Sequence, residues 1–508
     1  MQERPNSLRD LISDSQVFLT GATGFVGGVL LERILRAELP PKKVFLLVRK
    51  RRGADPSDRV KEIFSSPLFS DVRADRLNLI QVIEGDVGED GLGISKSDND
   101  LLVSKCTLVF HAAAFISFAA RLDMAIRINL EGSRQVLDLA KNMLNCKAMV
   151  YVSTAYANCT VRNAIVEEKL YPTPCDPIDF LKMVKKLSPE ELEAKTNELI
   201  GNHPNTYTFT KQMAEALLAK ERGHVALSIV RPSIVLNTWK IPKIGWVDNV
   251  NNGACGFIAG VNKGIFRTIP ARPGAVTDMI PADMVVSVIL TSALQALRDP
   301  DNLHVYHCTS GIENPVTWER YCRTVVKAAQ DHPCKDVLWY PQAKTSLSAF
   351  RNLVVIWLFQ IIPAIFVDHV LLRGKGPSLY AMQRKYERGC RYTTYFTKRE
   401  WSFDTAKVSA LASILPEEER AAHPFDPKLV DWDEYLEDCV VGMRHYFHKE
   451  PKTTTEKARN SMKRLKTTAT LTPFICFFIL WGINLLLGCP MWVAAFVAAS
   501  LILFLVWV

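Results

Sequence analysis

Apolar positions along the first 320 or so residues fall into two alternating patterns. Short runs that are nearly all apolar, at 16–20, 43–48, 78–84, 107–111, 148–153 and 226–230, predict strands. Between them lie stretches with helical spacing: 24–37 with Val26, Leu30 and Ile34, a more polar piece at 57–64, then 126–143 and about 206–222. A strand with no polar face must be covered on both sides, and intervening helices supply the cover. The pattern therefore predicts an α/β fold with a doubly wound parallel sheet over residues 15–330, after a polar lead at 1–14.

The pattern then changes. Residues 337–448 read as a smaller, mostly helical domain, within which 353–367 (LVVIWLFQIIPAIFV) is apolar except for Gln360 and is broken by Pro363. A run this short falls below the ~20 residues that cross a hydrocarbon core. It is expected to be a buried helix, with an acyl-chain wall or a membrane-dipping helix as the sharper alternative. Residues 449–466 form a basic linker with seven Lys/Arg against two Glu, and no charge follows Lys466. From 471 to 487, and again from 491 to 508 after Gly488-Cys489-Pro490, the chain is uncharged and mostly apolar. Residues 467–508 are thus expected to anchor the chain in a lipid bilayer, as one kinked span or a hairpin, with the basic linker on the cytosolic side.

Charge narrows the partners. The net charge is +9, but the linker carries five of it, which leaves the first 448 residues near +4. A nucleic-acid face needs a denser basic patch. The twelve cysteines lie at least twelve positions apart with no C-x-x-C, so they read as reduced thiols of an intracellular protein. His304/His307 and His445/His448 share a spacing but lack a third ligand, and no metal site is expected. Asn158-Cys159-Thr160 matches a glycosylation sequon, but residues 1–15 hold no apolar export signal.

The candidate chemistry begins directly after the first predicted strand, where Gly21, Gly24 and Gly27 form G-x-x-G-x-x-G. Gly21 permits a tight turn, Gly24 lets backbone approach a pyrophosphate, and Gly27 lets helix pack on strand; the free N–H groups of the helix start favour the anion. The whole turn, Thr20, Gly21, Thr23, Gly24, Phe25, Val26 and Gly27, is a candidate dinucleotide cradle, which makes the sheet Rossmann-type. A carboxylate ending the second strand would select NAD, but here stands Arg49, followed by Lys50, Arg51 and Arg52. A cation at that place suits the 2′-phosphate of NADPH. Asp86, with Val87, follows the third strand and could meet the adenine amino group, and Ala112 after the fourth allows close approach to the cofactor.

Tyr207 and Lys211 stand at i, i+4 on the helix before the sixth strand, and Ser153-Thr154 end the fifth. A free tyrosine, with a pKa near 10, is a poor acid at neutral pH. A lysine ammonium beside it is expected to lower that value and to hold the nicotinamide ribose. Thr154 or Ser153 would hydrogen-bond a substrate carbonyl.

At these residues the chain resembles the extended short-chain dehydrogenase/reductases, and specifically the animal fatty acyl-CoA reductases. The matching stretches are TGATGFVGGVLLERILR (20–36), VFHAAAFISF (109–118), YVSTAYAN (151–158), PNTYTFTKQMAE (204–215), IVRPSIV (229–235), GWVDNVNNGACGFIAGVNKGIFRTI (245–269) and RYTTYFTKREWSFD (391–404). The resemblance covers nearly all of 15–450. It implies NADPH-dependent reduction of a long-chain acyl-CoA to a primary alcohol. In that reading Tyr207 is the proton donor, Lys211 its helper and Thr154, or Ser153, the carbonyl-binding hydroxyl, with Pro232 and Ser233 bordering the nicotinamide. It also implies an intracellular membrane with the catalytic part facing the cytosol, the peroxisome ahead of the endoplasmic reticulum. Two other readings stay open: a membrane-bound hydroxysteroid dehydrogenase-like enzyme, and a non-catalytic NADPH-sensing scaffold.

Overall fold

The computed structural model describes residues 5–50, 55–250, 253–371, 378–451 and 453–486. Seven parallel strands form one sheet: β1 (Gln16–Thr20), β2 (Lys43–Val48), β3 (Ile80–Glu84), β4 (Leu108–His111), β5 (Ala148–Val152), β6 (Leu227–Pro232) and β7 (His304–Cys308). Their spatial order is β7-β6-β5-β4-β1-β2-β3, so the winding reverses beside β1. Ligands of such sheets bind outside the carboxyl ends of the strands at that reversal. The central strands β1, β4 and β5 are buried along almost their whole length, as their unbroken apolar runs require. The expected Rossmann-type sheet is present, and β7 extends it beyond the six strands read from the pattern.

The chain divides into two compact units that are not consecutive segments. The sheet unit comprises residues through Asp248 together with Asp278–Pro315 and Trp401–Asp431. The last segment belongs here because Ser402–Phe403 pairs with Ile165–Val166, and because the Glu168 carboxylate accepts the N–H groups of His307 at 2.9 Å, Val408 at 3.2 Å and Lys407. The second unit comprises Asn249–Thr277, Val316–Glu400 and the chain from Trp432 onward, and it is mostly helical. Composition shifts cannot reveal such crossings, because each crossing segment is as apolar as its neighbours.

The apolar run at 353–367 is not the buried helix expected. Its helix is longer, Ala349–His369, and is long and apolar enough by length and composition to cross a membrane. Val355, Ile361 and Ala364 are buried, but Phe350, Leu353, Trp357, Leu358, Ile362 and Phe366 are exposed. The basic linker from Glu456 onward and the start of the tail form one continuous 31-residue helix, Glu456–Leu486. The Gly488-Cys489-Pro490 break and the apolar segment 491–508 lie outside the described residues, so neither a kinked span nor a hairpin is seen.

Candidate active site

Register across the sheet builds the floor of the site. Thr20 lies opposite His111, and His111 opposite Tyr151, on adjacent strands. The Thr20 hydroxyl meets His111 Nδ1 at 2.7 Å, His111 Nε2 meets the Ser133 hydroxyl at 3.0 Å, and the His111 and Tyr151 rings stack at 5.5 Å. Burial, aided by the charge of Lys211, holds His111 down to about 3, so the imidazole is neutral. The Thr20 side chain is therefore committed to the sheet interior: it also accepts the Ala113 N–H at 3.3 Å.

The glycine turn sits above this floor. Gly21 has φ +80°, and a Cβ there would lie 2.6 Å from the Ala112 carbonyl carbon, so only glycine lets the turn pack on the end of β4. A Cβ on Gly27 would fall 2.1 Å from the Gly21 oxygen, which is why helix Phe25–Arg36 can start so close to β1. Gly24 differs: only the Gly21 oxygen comes within 4 Å of a Cβ there, at 3.3 Å. Gly24 caps the helix without a side chain, and no acid stands in its first turn. Uncapped N–H groups with open space above them fit a pyrophosphate. Thr23 and Gly24 are exposed, Val26 is half-buried, and Phe25 stacks on Trp246 at 5.5 Å.

Arg49 is 62% exposed and lies 4.0 Å from the Asp86 carboxylate, so a cation and a carboxylate face each other at the ends of β2 and β3. Asp86 is also tied to the Gly88 N–H at 2.9 Å, and the Val87 carbonyl lies against Gly132, where a Cβ would come within 2.5 Å. Arg59, passed over in the sequence, donates to the Arg49 carbonyl at 2.7 Å and to the Thr23 hydroxyl at 3.3 Å. It links the end of β2 to the glycine turn.

The acid–base group assembles at the end of β5. Helix Thr206–Glu221 is capped by Asn205, whose side chain accepts the Thr208 N–H at 2.9 Å. Thr206, Thr208, Thr210, Lys211, Gln212 and Glu215 are all buried on it, so this helix is fixed by polar contacts as well as by packing. His203, for example, bridges Thr208 at 3.2 Å and Gln212 at 2.8 Å. Tyr207 is half-buried and its hydroxyl hydrogen-bonds the Thr154 side chain. The Thr154 hydroxyl also donates to the Pro232 carbonyl at 3.4 Å. The Ser153 hydroxyl is buried with no hydrogen-bond partner among the described residues. A buried orphan hydroxyl next in the chain to the threonine that meets Tyr207 suits a polar group of a ligand. The Ser233 hydroxyl is likewise buried with no hydrogen-bond partner among the described residues, near the buried Asp278, whose carboxylate accepts the Ser310 N–H at 2.8 Å.

One expectation fails here. Lys211 does not lower Tyr207. Its ammonium donates to the Val152 carbonyl at 2.8 Å and to the Tyr151 hydroxyl at 3.2 Å, and it lies over the Tyr151 ring. Burial raises Tyr207 well above its ordinary value, against a single lowering hydrogen bond from Thr154. Burial also brings Lys211 itself down to about 7, although Glu215 one turn along supports its charge. Desolvation outweighs the i, i+4 attraction because the ammonium is committed to other oxygens.

Asn129 was also missed. It sits in the π-type turn Ile126–Glu131, accepts the Phe115 N–H at 2.8 Å and donates to Thr210 at 3.2 Å. It thereby ties the loop after β4 to the tyrosine-bearing helix. A buried amide inside an apolar helical run was its only sequence signal.

An NAD-binding family described as "Male sterility protein" matches residues 19–289, and a second family of the same description matches 359–450. "Fatty acyl-CoA reductase 2" of Mus musculus is 34% identical over 474 residues, covering 92% of either chain. "Putative fatty acyl-CoA reductase CG8306" of Drosophila melanogaster is 35% identical over 472 residues and 90% of either chain. Among solved structures, the terminal R domain from a myxalamid PKS-NRPS biosynthetic pathway superposes with a TM-score of 0.57 at 18% identity, over 85% of this chain and 91% of that one. That likeness speaks to the fold alone.

Proposed function

We propose that this chain, which belongs to the fatty acyl-CoA reductase family and is an NAD(P)H-dependent oxidoreductase, uses NADPH to reduce a long-chain acyl-CoA to a primary alcohol. The observation that carries the reading is the meeting of Thr154 and Tyr207 beside the orphan hydroxyl of Ser153, at the carboxyl end of β5. The cofactor supplies hydride. The turn from Gly21 to Gly27 would hold its pyrophosphate, with Arg49 at the 2′-phosphate and Asp86 and Val87 toward the adenine. Ala112, Pro232 and Ser233 would flank the nicotinamide.

Tyr207 does the proton work. Its raised pKa keeps the phenol protonated at neutral pH, the state in which it donates to an oxyanion developing on the substrate carbonyl. The hydroxyls of Thr154 and Ser153 stabilise that charge. Hydride addition to the thioester carbon gives a hemithioacetal; its carbon–sulfur bond breaks to release CoA thiol and an aldehyde. A second hydride and proton convert the aldehyde to alcohol. Lys211, buried and bonded to the Val152 carbonyl and the Tyr151 hydroxyl, fixes the end of β5, and the third N–H of its ammonium would serve a ribose hydroxyl. This chemistry requires no cysteine nucleophile.

The uncharged tail after Lys466 supports anchoring in an intracellular membrane with the sheet unit facing the cytosol, where an insoluble product is collected. The peroxisomal membrane is preferred to the endoplasmic reticulum on the family resemblance, and a fluorescent fusion tests that. The enzymatic test is NADPH oxidation by detergent-solubilised protein given palmitoyl-CoA, with products identified by mass spectrometry. Alcohol should appear with about two NADPH consumed per CoA released, and Tyr207→Phe should cut turnover by about 10²–10⁴-fold. Aldehyde as the end product, or full activity in the variant, would overturn the reading.

A further inference from the structure

Helix Ala349–His369 carries two opposed faces with different chemistry. On one side Asn352 accepts the Thr268 hydroxyl at 2.6 Å and donates to the Ser346 carbonyl at 2.9 Å, and Gln360 accepts the Arg267 N–H at 2.7 Å. Arg351, Val355, Ile361 and Ala364 are buried on that same side. The other side shows Phe350 (74% exposed), Leu353, Trp357, Leu358, Ile362 and Phe366 (57%), with no charged side chain among them. The π-type turn Trp357–Ile361 takes up one extra residue, so the buried positions before and after it stay in line, and so do the exposed ones.

This is neither a core helix nor a span. A core helix hides both faces. A span would carry to bilayer depth the non-helical segments that hold its inner face, around Arg267–Thr268 and Ser346, together with the Arg351 side chain. A helix held by polar anchors on one side, with large aliphatic and aromatic residues on the other, suits the plane of a bilayer surface. The flanking charges agree. Helix Leu379–Thr397 packs along it within the same unit and exposes Tyr380, Met382, Lys385 and Arg388, amphipathic and cationic residues of the kind that sit at anionic headgroups. In the same unit helix Glu456–Leu486 exposes Leu471, Phe474, Ile475 and Phe478, and only uncharged sequence follows it.

We propose that the outer face of helix Ala349–His369 docks in the plane of an anionic lipid bilayer, as a second membrane contact beside the tail. The inference deepens the anchored-enzyme reading above and rests on it for the presence of a bilayer. In-plane docking holds the helical unit against the surface from which an acyl chain is drawn.

The test uses the full chain reconstituted in vesicles of phosphatidylcholine and phosphatidylserine. The photo-crosslinker p-benzoyl-phenylalanine is placed in turn at Leu358, at Phe366, at Phe478 and at Leu144, an exposed position of the sheet unit. NADPH binding checks that each variant is folded. Lipid adducts at Leu358 and Phe366 several-fold above Leu144, and weaker in pure phosphatidylcholine, are expected. Adducts to residues 487–508, to a second copy of the chain, or no excess over Leu144 would each overturn the docking. Phe478 reports the tail separately: lipid adducts there without any at Leu358 and Phe366 reject the docking alone, and none at any position rejects the anchoring as well.

Discussion

Alanine at Gly24, Gly27 and Gly28, around the turn after β1, separates what the turn needs for its own packing from what it needs for a ligand. At Gly27 a Cβ falls 2.1 Å from the Gly21 oxygen and 2.7 Å from its carbon, against a floor of 3.0 Å for real Cβ contacts. The obstacle is backbone, so the turn must retreat by about 0.9 Å, an overpacking that costs about 1–3 kcal/mol. Borne by the cradle, that cost weakens NADPH binding by roughly 5- to 150-fold, at about 1.4 kcal/mol per decade. Gly24→Ala meets a single atom at 3.3 Å, and φ −99° suits any residue, so folding is spared. Its methyl nevertheless stands where a phosphate would come, and roughly tenfold weaker binding with an unchanged melting temperature is expected. Gly28→Ala meets nothing nearer than 3.7 Å. Inside a helix it should gain about 0.5–1 kcal/mol and leave NADPH affinity alone. NADPH fluorescence titrations and thermal melts on the three variants decide the matter. If Gly24→Ala bound NADPH as tightly as the native chain while Gly28→Ala bound it poorly, the cradle assignment would be wrong.

Arg49→Ala should weaken NADPH roughly tenfold while leaving NADH within about twofold, since a charged hydrogen bond is worth about 1.5–3 kcal/mol and NADH lacks the phosphate; equal losses for both coenzymes would remove Arg49 from the 2′-phosphate. Glu215 forms two bonds, at 2.9 and 2.6 Å, with Arg231, and both side chains are essentially inaccessible to solvent. Glu215→Gln strands the guanidinium at a cost of about 3–5 kcal/mol, and it removes the charge that supports the Lys211 ammonium, so any limb of the pH–rate profile due to Lys211 must move below its present value of about 7. A destabilised variant with an unmoved profile would show that the lysine is not coupled to Glu215. Burial raises Glu168 to about 7, above its unfolded value, so its contribution to stability is present below about pH 4.5 and is lost as pH rises through 7. Denaturation midpoints of the native chain should therefore fall, relative to Glu168→Gln, by an amount of order 2 kcal/mol between pH 4.5 and 7.5; parallel curves would mean that the carboxylate is ionised throughout.

Strand and helix positions in the sheet unit were legible because parallel strands covered on both faces leave an unbroken apolar run, and six of the seven were read from it. The stretch around the seventh, His304–Cys308, reads as strand-like by its alternation, but His304 and His307 break the apolar run that marked the other six as sheet strands; His307 is buried but satisfied, meeting Arg231 at 3.2 Å and the Asp404 carbonyl at 2.9 Å. Long-range crossings left no trace in composition. The two-residue pairing of Ser402–Phe403 with Ile165–Val166 is too short to print a period. Helix Ala349–His369 was misread for a related reason: hydropathy averages over its faces, whereas its partition depends on which of them the rest of its unit covers. The extra residue at Trp357–Ile361 blurs the helical period that would have shown two faces.

At the candidate site, chemistry was legible where it demanded an unusual residue type and hidden where an ordinary one sufficed. Three glycines after a strand, or a tyrosine and lysine one turn apart, stand out. Tyr151 does not, because an aromatic residue inside a strand is what packing alone would choose. Only the register, with Thr20, His111 and Tyr151 side by side, shows that its hydroxyl meets the Lys211 ammonium. That contact changes what the lysine is for. An ammonium bonded to the Val152 carbonyl at 2.8 Å positions the very next residues, Ser153 and Thr154, relative to the helix that carries Tyr207. The expectation that Lys211 acts on Tyr207 by charge treated the helix as if it stood alone; in the folded sheet the same residue acts by holding strand end and helix in one geometry. The tyrosine then stays protonated because burial outweighs the one hydrogen bond, from Thr154, that favours its anion, and a site that must deliver a proton is served by that state.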